Sequence, residues 1–89
     1  MKKILLIDAS DTYIWCLQKY LQRRGYPVET ASTLKEARTA IQEEMPLVIC
    51  CDLDLPDGTA MELFHALRRV EGMFQMKNPP VRLLPFFIL

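Results

Sequence analysis

Two carboxylates close two apolar runs in this chain. Asp52 follows Leu47-Val48-Ile49-Cys50-Cys51, and Asp8 follows Ile4-Leu5-Leu6-Ile7. Short apolar runs of this kind read as buried strands. Behind Asp52, the segment Leu53-Asp54-Leu55 leads into Pro56-Asp57-Gly58, a turn signal. A buried strand that ends in a carboxylate and then turns places that carboxylate at the carboxyl edge of a sheet, where open α/β folds carry their chemistry. Two such strands, with two helical patterns between them, predict one shared acidic pocket. Asp52 alone reads equally well as an ordinary turn residue. The acidic partner Asp8 argues for a site.

The elements that must position these groups follow from periodicity. Residues 3–8 form the first strand. Ser10 or Asp11 offers a helix N-cap, and Ile14, Leu17 and Leu21 recur at helical spacing, with Tyr13 and Tyr20 beside them. Arg23 and Arg24 suit the negative end of the helix dipole, and Gly25 suits its C-terminal cap. The first helix is therefore expected over 11–24. A short strand over 26–31 begins with Tyr26-Pro27, and proline sends it to the sheet edge. Thr33-Leu34-Lys35-Glu36 matches a capping box and starts a second helix over 33–44, with Leu34, Ala37 and Ile41 as its buried stripe. The third strand spans 47–52. Gly58 opens a third helix with Met61, Phe64 and Leu67 on its apolar face. Residues 71–79 read as a loop, 80–84 as a fourth strand, and 85–89 as an apolar tail. The order βαβαβαβ implies a parallel sheet with right-handed crossovers.

Composition bounds the possibilities. The 89 residues suffice for one small domain, and 51% of them are hydrophobic against 25% charged, which fits a globular chain. Eleven basic and eleven acidic residues leave a formal net charge of zero, so nothing argues for nucleic acid. Lys2-Lys3 before an apolar run imitates a signal peptide, but Asp8 ends that run too early. No stretch approaches the ~18 apolar residues needed to span a bilayer. Cys16, Cys50 and Cys51 form neither a disulfide framework nor a zinc site and read as reduced, buried thiols of a cytoplasmic protein. His65 reads as a solvated surface histidine, and Trp15 and Tyr13 read as packing groups.

From Lys3 to about Leu84 the chain resembles the receiver domain of two-component response regulators. The resemblance rests on Ile4-Leu5-Leu6-Ile7-Asp8, on Leu21 to Gly25-Tyr26-Pro27-Val28 with Ala31, on Glu36-Ala37, and above all on Leu47 to Gly58. It implies a flavodoxin-like three-layer α/β fold with strand order 2-1-3-4 in residues 1–89, lacking the last strand and helix. It implies that Asp52 accepts a phosphoryl group from a histidine kinase or phosphotransfer protein and that the domain is not an enzyme. It implies Mg²⁺ held by Asp8, Asp52 and the backbone carbonyl of Asp54. A hard cation would neutralise the repulsion between a carboxylate nucleophile and an anionic phosphoryl group.

The chain departs from that pattern at three places. Ala9 stands where the family has a second acidic residue, so Mg²⁺ binding is expected to be weak or lost; Asp11 is a candidate substitute and equally a candidate cap. Pro85 stands at the position matched to a Ser or Thr that closes the fourth strand. The strand that carries the family's Lys is not in this sequence, and Lys77 cannot replace it. Without the last helix, the sheet face beside the first helix is expected to stay open and to invite a homodimer or another partner. An alternative is therefore a pseudo-receiver, an interaction module independent of phosphorylation. A third class, the haloacid-dehalogenase-type phosphatases, also uses Asp-x-Asp after an apolar strand, but its pattern has Thr or Val where Pro56 stands, and it needs a much longer chain.

Overall fold

The computed structural model of the chain describes residues 3–75 and 86–88. Among these, β1 (Ile4–Ile7), β2 (Val28–Ala31), β3 (Val48–Cys51) and β6 (Phe86–Ile88) form one parallel sheet in the order β2-β1-β3-β6. The helices are α1 (Asp11–Arg23), α2 (Leu34–Glu43) and α3 (Ala60–Gln75). A two-stranded hairpin, β4 (Asp54–Leu55) with β5 (Gly58–Thr59), stands between β3 and α3. The β1-to-β2 and β2-to-β3 connections run in opposite directions across the sheet. Right-handed crossovers then put α1 on one face and α2 on the other.

The covered face is made by alternate residues. Leu5 and Ile7 of β1 and Ile49 and Cys51 of β3 pack with Leu34, Ala37 and Ala40 of α2 and with Ala60, Leu63 and Leu67 of α3. Ile7, Ala37, Ile49, Cys51 and Ala60 are fully shielded from solvent. Each large aliphatic side chain buried in this way stabilises the fold by about 1.5–3 kcal/mol. Phe86 of β6 joins this layer and meets Phe64 edge-on, with ring centroids 5.4 Å apart. The opposite face is thinner. Leu6 is buried there, but α1 has no buried residue, and Phe87, level with Cys50, is 57% exposed.

Local signals set the helix ends. Ser10 caps α1 by accepting from the Tyr13 N–H. At the other end the Gly25 N–H donates to the Gln22 carbonyl and the Tyr26 N–H to the Leu21 carbonyl, a Schellman arrangement. Gly25 takes φ +90°, which favours glycine. At α2, Thr33 Oγ1 accepts from the Glu36 N–H as expected, but the Glu36 carboxylate reaches one residue further back, to the N–H and hydroxyl of Ser32.

Several expectations need correction. The third helix starts at Ala60, because Gly58 and Thr59 belong to the hairpin; Thr59 and Glu62 cap α3 reciprocally, a Thr-x-x-Glu box present in the sequence. That helix continues through Gln75, so 71–75 are helical, one glycine being tolerated within a long helix. Over residues 60–68 its buried positions are Ala60, Leu63 and Leu67, whereas Met61 is exposed and Phe64 only half-buried. In α2, Ala40 is buried in place of Ile41, which is half-buried. Trp15 and Tyr13 point to solvent rather than into a core, and Lys19 lies over the Trp15 ring. Cys16 is exposed and Cys50 half-buried; of the three free thiols, Cys51 is the buried one. The fourth place in the sheet belongs to Phe86–Ile88, part of the expected tail. The expected strand 80–84, Met76, Lys77 and Pro85 lie outside the described residues. His65 is exposed, as read.

Candidate functional site

Parallel pairing brings the two strand-ending carboxylates together. Ile7 is level with Cys51, so Asp8 and Asp52 leave adjacent strands at the same height on the carboxyl edge. The Asp52 N–H donates to the Ile7 carbonyl at 2.8 Å, and the Asp8 N–H donates to Ala31 at 3.0 Å. These bonds carry the ladder one residue past each strand and fix both Cα positions.

The side chains are held as well. Asp8 is 8% exposed, the one buried charged residue among those described, and its Oδ1 accepts from the Ser10 N–H at 2.8 Å. Asp8 thus shapes the turn that delivers Ser10 to its capping position. Asp52 is half-buried, and its Oδ1 accepts from the Leu53 N–H at 2.9 Å. No hydrogen bond among the described residues uses Oδ2 of either carboxylate.

Cys51 precedes Asp52 and is level with Ile7, the residue before Asp8. Its thiol is pushed up to about 11, first by burial and then by the negative charges of Asp52 and Asp8. Its Sγ donates to the Asp52 carbonyl at 3.3 Å. A thiol that stays protonated adds no third negative charge beside the two carboxylates.

Asp54, two residues beyond Asp52, sits in the hairpin opposite Thr59, with its side chain exposed. The hairpin is anchored at both ends. The Ala60 N–H donates to the Leu53 carbonyl at 2.9 Å, and Leu55 is buried in the core. Its tip carries a residue that sequence reasoning took for a plain turn member. Asp57 Oδ1 accepts from the Leu34 N–H at 2.8 Å, and Oδ2 accepts from the Lys35 N–H at 3.0 Å. These bonds, that from Leu34 first, hold the pKa of the Asp57 carboxyl below its ordinary value. With Thr33, Asp57 satisfies the N–H groups of Leu34, Lys35 and Glu36, which would otherwise lack helical partners. The signal was a carboxylate in a turn, but its partner lies 23 positions away.

Other candidates fall elsewhere. Asp11 occupies the first turn of α1 and is exposed, while Ser10 is the cap. Ala9 is exposed between Asp8 and Ser10. Among the described residues, no group of three or more His, Cys, Asp or Glu side chains converges on a metal position. Ile88 is level with Cys51, and Pro85, the residue matched to the family's closing Ser or Thr, lies outside the described residues. No described helix is long and apolar enough to cross a membrane.

Comparison with known proteins agrees with this architecture. The chemotaxis response regulator CheY4 of Vibrio cholerae superimposes with a TM-score of 0.80 at 31% identity, covering 99% of this chain and 67% of that one. A response regulator of Burkholderia pseudomallei, solved with a phosphorylated aspartic acid, a calcium ion and citrate, gives a TM-score of 0.71 at 30% identity over 79% of this chain and 41% of its own. The alkaline phosphatase synthesis transcriptional regulatory protein PhoP of Bacillus subtilis is 38% identical over 73 residues, 82% of this chain. The chain spans only 30% of that relative's length. Residues 4–84 match the family described as the response regulator receiver domain. With its parallel sheet in the order 2-1-3-6 and its structural neighbours, this chain belongs to that family.

Proposed function

We propose that this domain is a phosphoacceptor in which Asp52 takes a phosphoryl group from a phosphohistidine of a histidine kinase or phosphotransfer protein. The observation that carries the reading is the pairing of Asp8 and Asp52 at one level of the carboxyl edge, fixed by the Asp52 N–H bond to Ile7. The Leu53 N–H holds Oδ1 of Asp52, which leaves Oδ2 as the attacking oxygen. Oδ2 forms the new O–P bond as the N–P bond of the donor breaks, and the imidazole leaves with the electron pair.

The donor set fits Mg²⁺: the carboxylates of Asp8 and Asp52 and the backbone carbonyl of Asp54 are hard oxygens, and Mg²⁺ keeps several waters. Bound there, it would neutralise charge on the transferring oxygens. Asp8 would serve as the ordered ligand, because the Ser10 N–H already fixes its rotamer. With Ala9 offering only a methyl group, two carboxylates serve the cation, so its affinity is expected to be low. The Burkholderia neighbour supports the reading, since its structure contains a phosphorylated aspartic acid and a calcium ion.

Ala9 and the lack of a third converging carboxylate among the described residues favour one rival, a pseudo-receiver that acts through its surface alone. Intact mass after incubation with Mg²⁺ and acetyl phosphate separates the two. A gain of one phosphoryl group, lost in Asp52→Asn, supports the phosphoacceptor. No gain on a folded chain supports the rival. The exposed Phe87 and Ile88 of β6 add a homodimer to that rival, read by sedimentation at rising concentration.

A further inference from the structure

We infer that Asp57 is a positioning residue for the acidic site, latching the hairpin that carries Asp54 onto the N-terminus of α2. The inference rests on the phosphoacceptor reading for its consequence and on geometry for its mechanism. From Asp52 the chain runs only a few residues before it must return to start α3. Its register is set by Asp54 opposite Thr59 and Leu55 opposite Gly58. Two strand residues on each side cannot hold a hairpin by themselves. Three external ties do so: Ala60 N–H to the Leu53 carbonyl, burial of Leu55, and the two Asp57 bonds to Leu34 and Lys35.

The Ala60 bond acts at the base of the hairpin; burial of Leu55, paired with Gly58, holds the end of the first strand, and the Asp57 tie holds the turn itself. It is bidentate and charge-assisted, so it fixes orientation as well as distance. Gly58 makes the fit close: a Cβ there would run into Leu34 Cδ1 and lie 2.6 Å from Glu62 Oε2. The tip therefore rests on Leu34 while Asp57 grips the amides of Leu34 and Lys35. Tilting the tip away from α2 would turn the backbone at Asp54, which is two residues from Asp52. A carbonyl that must meet a cation at a set distance is sensitive to such a tilt.

The test compares Asp57→Ala and Asp57→Asn with Thr33→Ala. Thr33→Ala removes another cap of α2, the bond from the Glu36 N–H, without touching the hairpin. Amide hydrogen exchange of Thr59 and Ala60 reads the latch directly. Mg²⁺ titration followed by the amide resonances of Leu53 to Leu55 reads its consequence. The latch predicts faster exchange at Thr59 and Ala60 and about tenfold weaker Mg²⁺ binding in Asp57→Ala, in line with residues that orient metal ligands. Asp57→Asn should recover part of both, and Thr33→Ala should change neither. Equal exchange at Thr59 and Ala60 in Asp57→Ala and Thr33→Ala would overturn the latch. Faster exchange with unchanged Mg²⁺ affinity would overturn its role in positioning. A wild-type chain that binds no Mg²⁺ would sink the phosphoacceptor reading and with it the positioning role, while the exchange data would still decide whether the latch exists.

Discussion

Two glycines with positive φ provide a controlled experiment on the hairpin. Gly25 has φ +90° and nothing within 4 Å of the place where a Cβ would stand. Gly58 has φ +152°, and its added Cβ would collide with Leu34 and crowd Glu62. Alanine at Gly25 meets only the backbone cost of a conformation disfavoured for L-residues, about 1–2 kcal/mol. Alanine at Gly58 meets a comparable backbone cost plus overpacking, together about 2–5 kcal/mol. Neither neighbour of Gly58 can yield freely. Leu34 is 3% exposed and held in the core, and Glu62 would have to release the Thr59 N–H that it binds. The assay is urea or thermal unfolding followed by circular dichroism. Gly58→Ala should unfold roughly 5–20 °C below Gly25→Ala, given about 4–8 °C per kcal/mol for a domain of this size. Midpoints within about 0.5 kcal/mol of each other would refute the claim that the hairpin presses on α2.

Three further predictions follow from burial and charge. Ile49→Ala, at a position with no exposure, should cost about 2–5 kcal/mol, whereas Trp15→Ala, at 60% exposure, should stay within about 0.5 kcal/mol in equilibrium unfolding. Timed alkylation read by mass spectrometry should modify Cys16 first and Cys51 last. A thiol pushed up to about 11 from 9.0 holds about a hundredfold less thiolate than an ordinary one, and Cys51 is also shielded. On the acid side, Asp57 and Glu36 both have carboxyls lowered by backbone N–H bonds, from Leu34 and Ser32 respectively. Their contribution is present above the ordinary values of 3.8 and 4.5 and is lost as pH falls through the lowered folded values. The double variant Asp57→Asn/Glu36→Gln should therefore show a shallower loss of thermal midpoint below about pH 4 than the wild type.

What was legible in the sequence depended on the range of the interaction. The strands and the Asp8/Asp52 pair were legible because apolar runs that end in carboxylates state both burial and position. The Schellman ending at Gly25 was legible because its bonds lie within five residues. The Thr59/Glu62 box was equally local, and was obscured by giving the helix start to Gly58. Phe86–Ile88 was obscured by Pro85, read as the end of a strand when the strand begins after it. The grip of Asp57 on α2 had no local signal, since nothing in a Pro-Asp-Gly turn indicates which distant amides the carboxylate will meet. Trp15 and Tyr13 misled for a different reason. Their aromatic bulk suggested packing, but the half-buried residues of α1 are Ile14, Leu17, Gln18 and Leu21, and none is fully buried.

The site and the thin face of the sheet are separable. Asp52 stands on β3 directly after Cys51, which packs into the layer with α2 and α3, and the hairpin is tied to α2 and α3. Asp8 follows Ile7 of the same layer, and only its Ser10 bond points towards α1. The bonds that fix the height and spacing of the two carboxylates are ladder bonds of the sheet itself, and the hairpin behind Asp52 is tied to the well-covered half. The α1 face, where Cys50 is half-buried and Phe87 largely exposed, is the less covered half. On the proposed reading, polar substitution at Phe87 should alter any self-association and leave the proposed phosphoryl acceptance at Asp52 unchanged. Loss of both together would show that the two halves are coupled through β3, whose residues alternate between them.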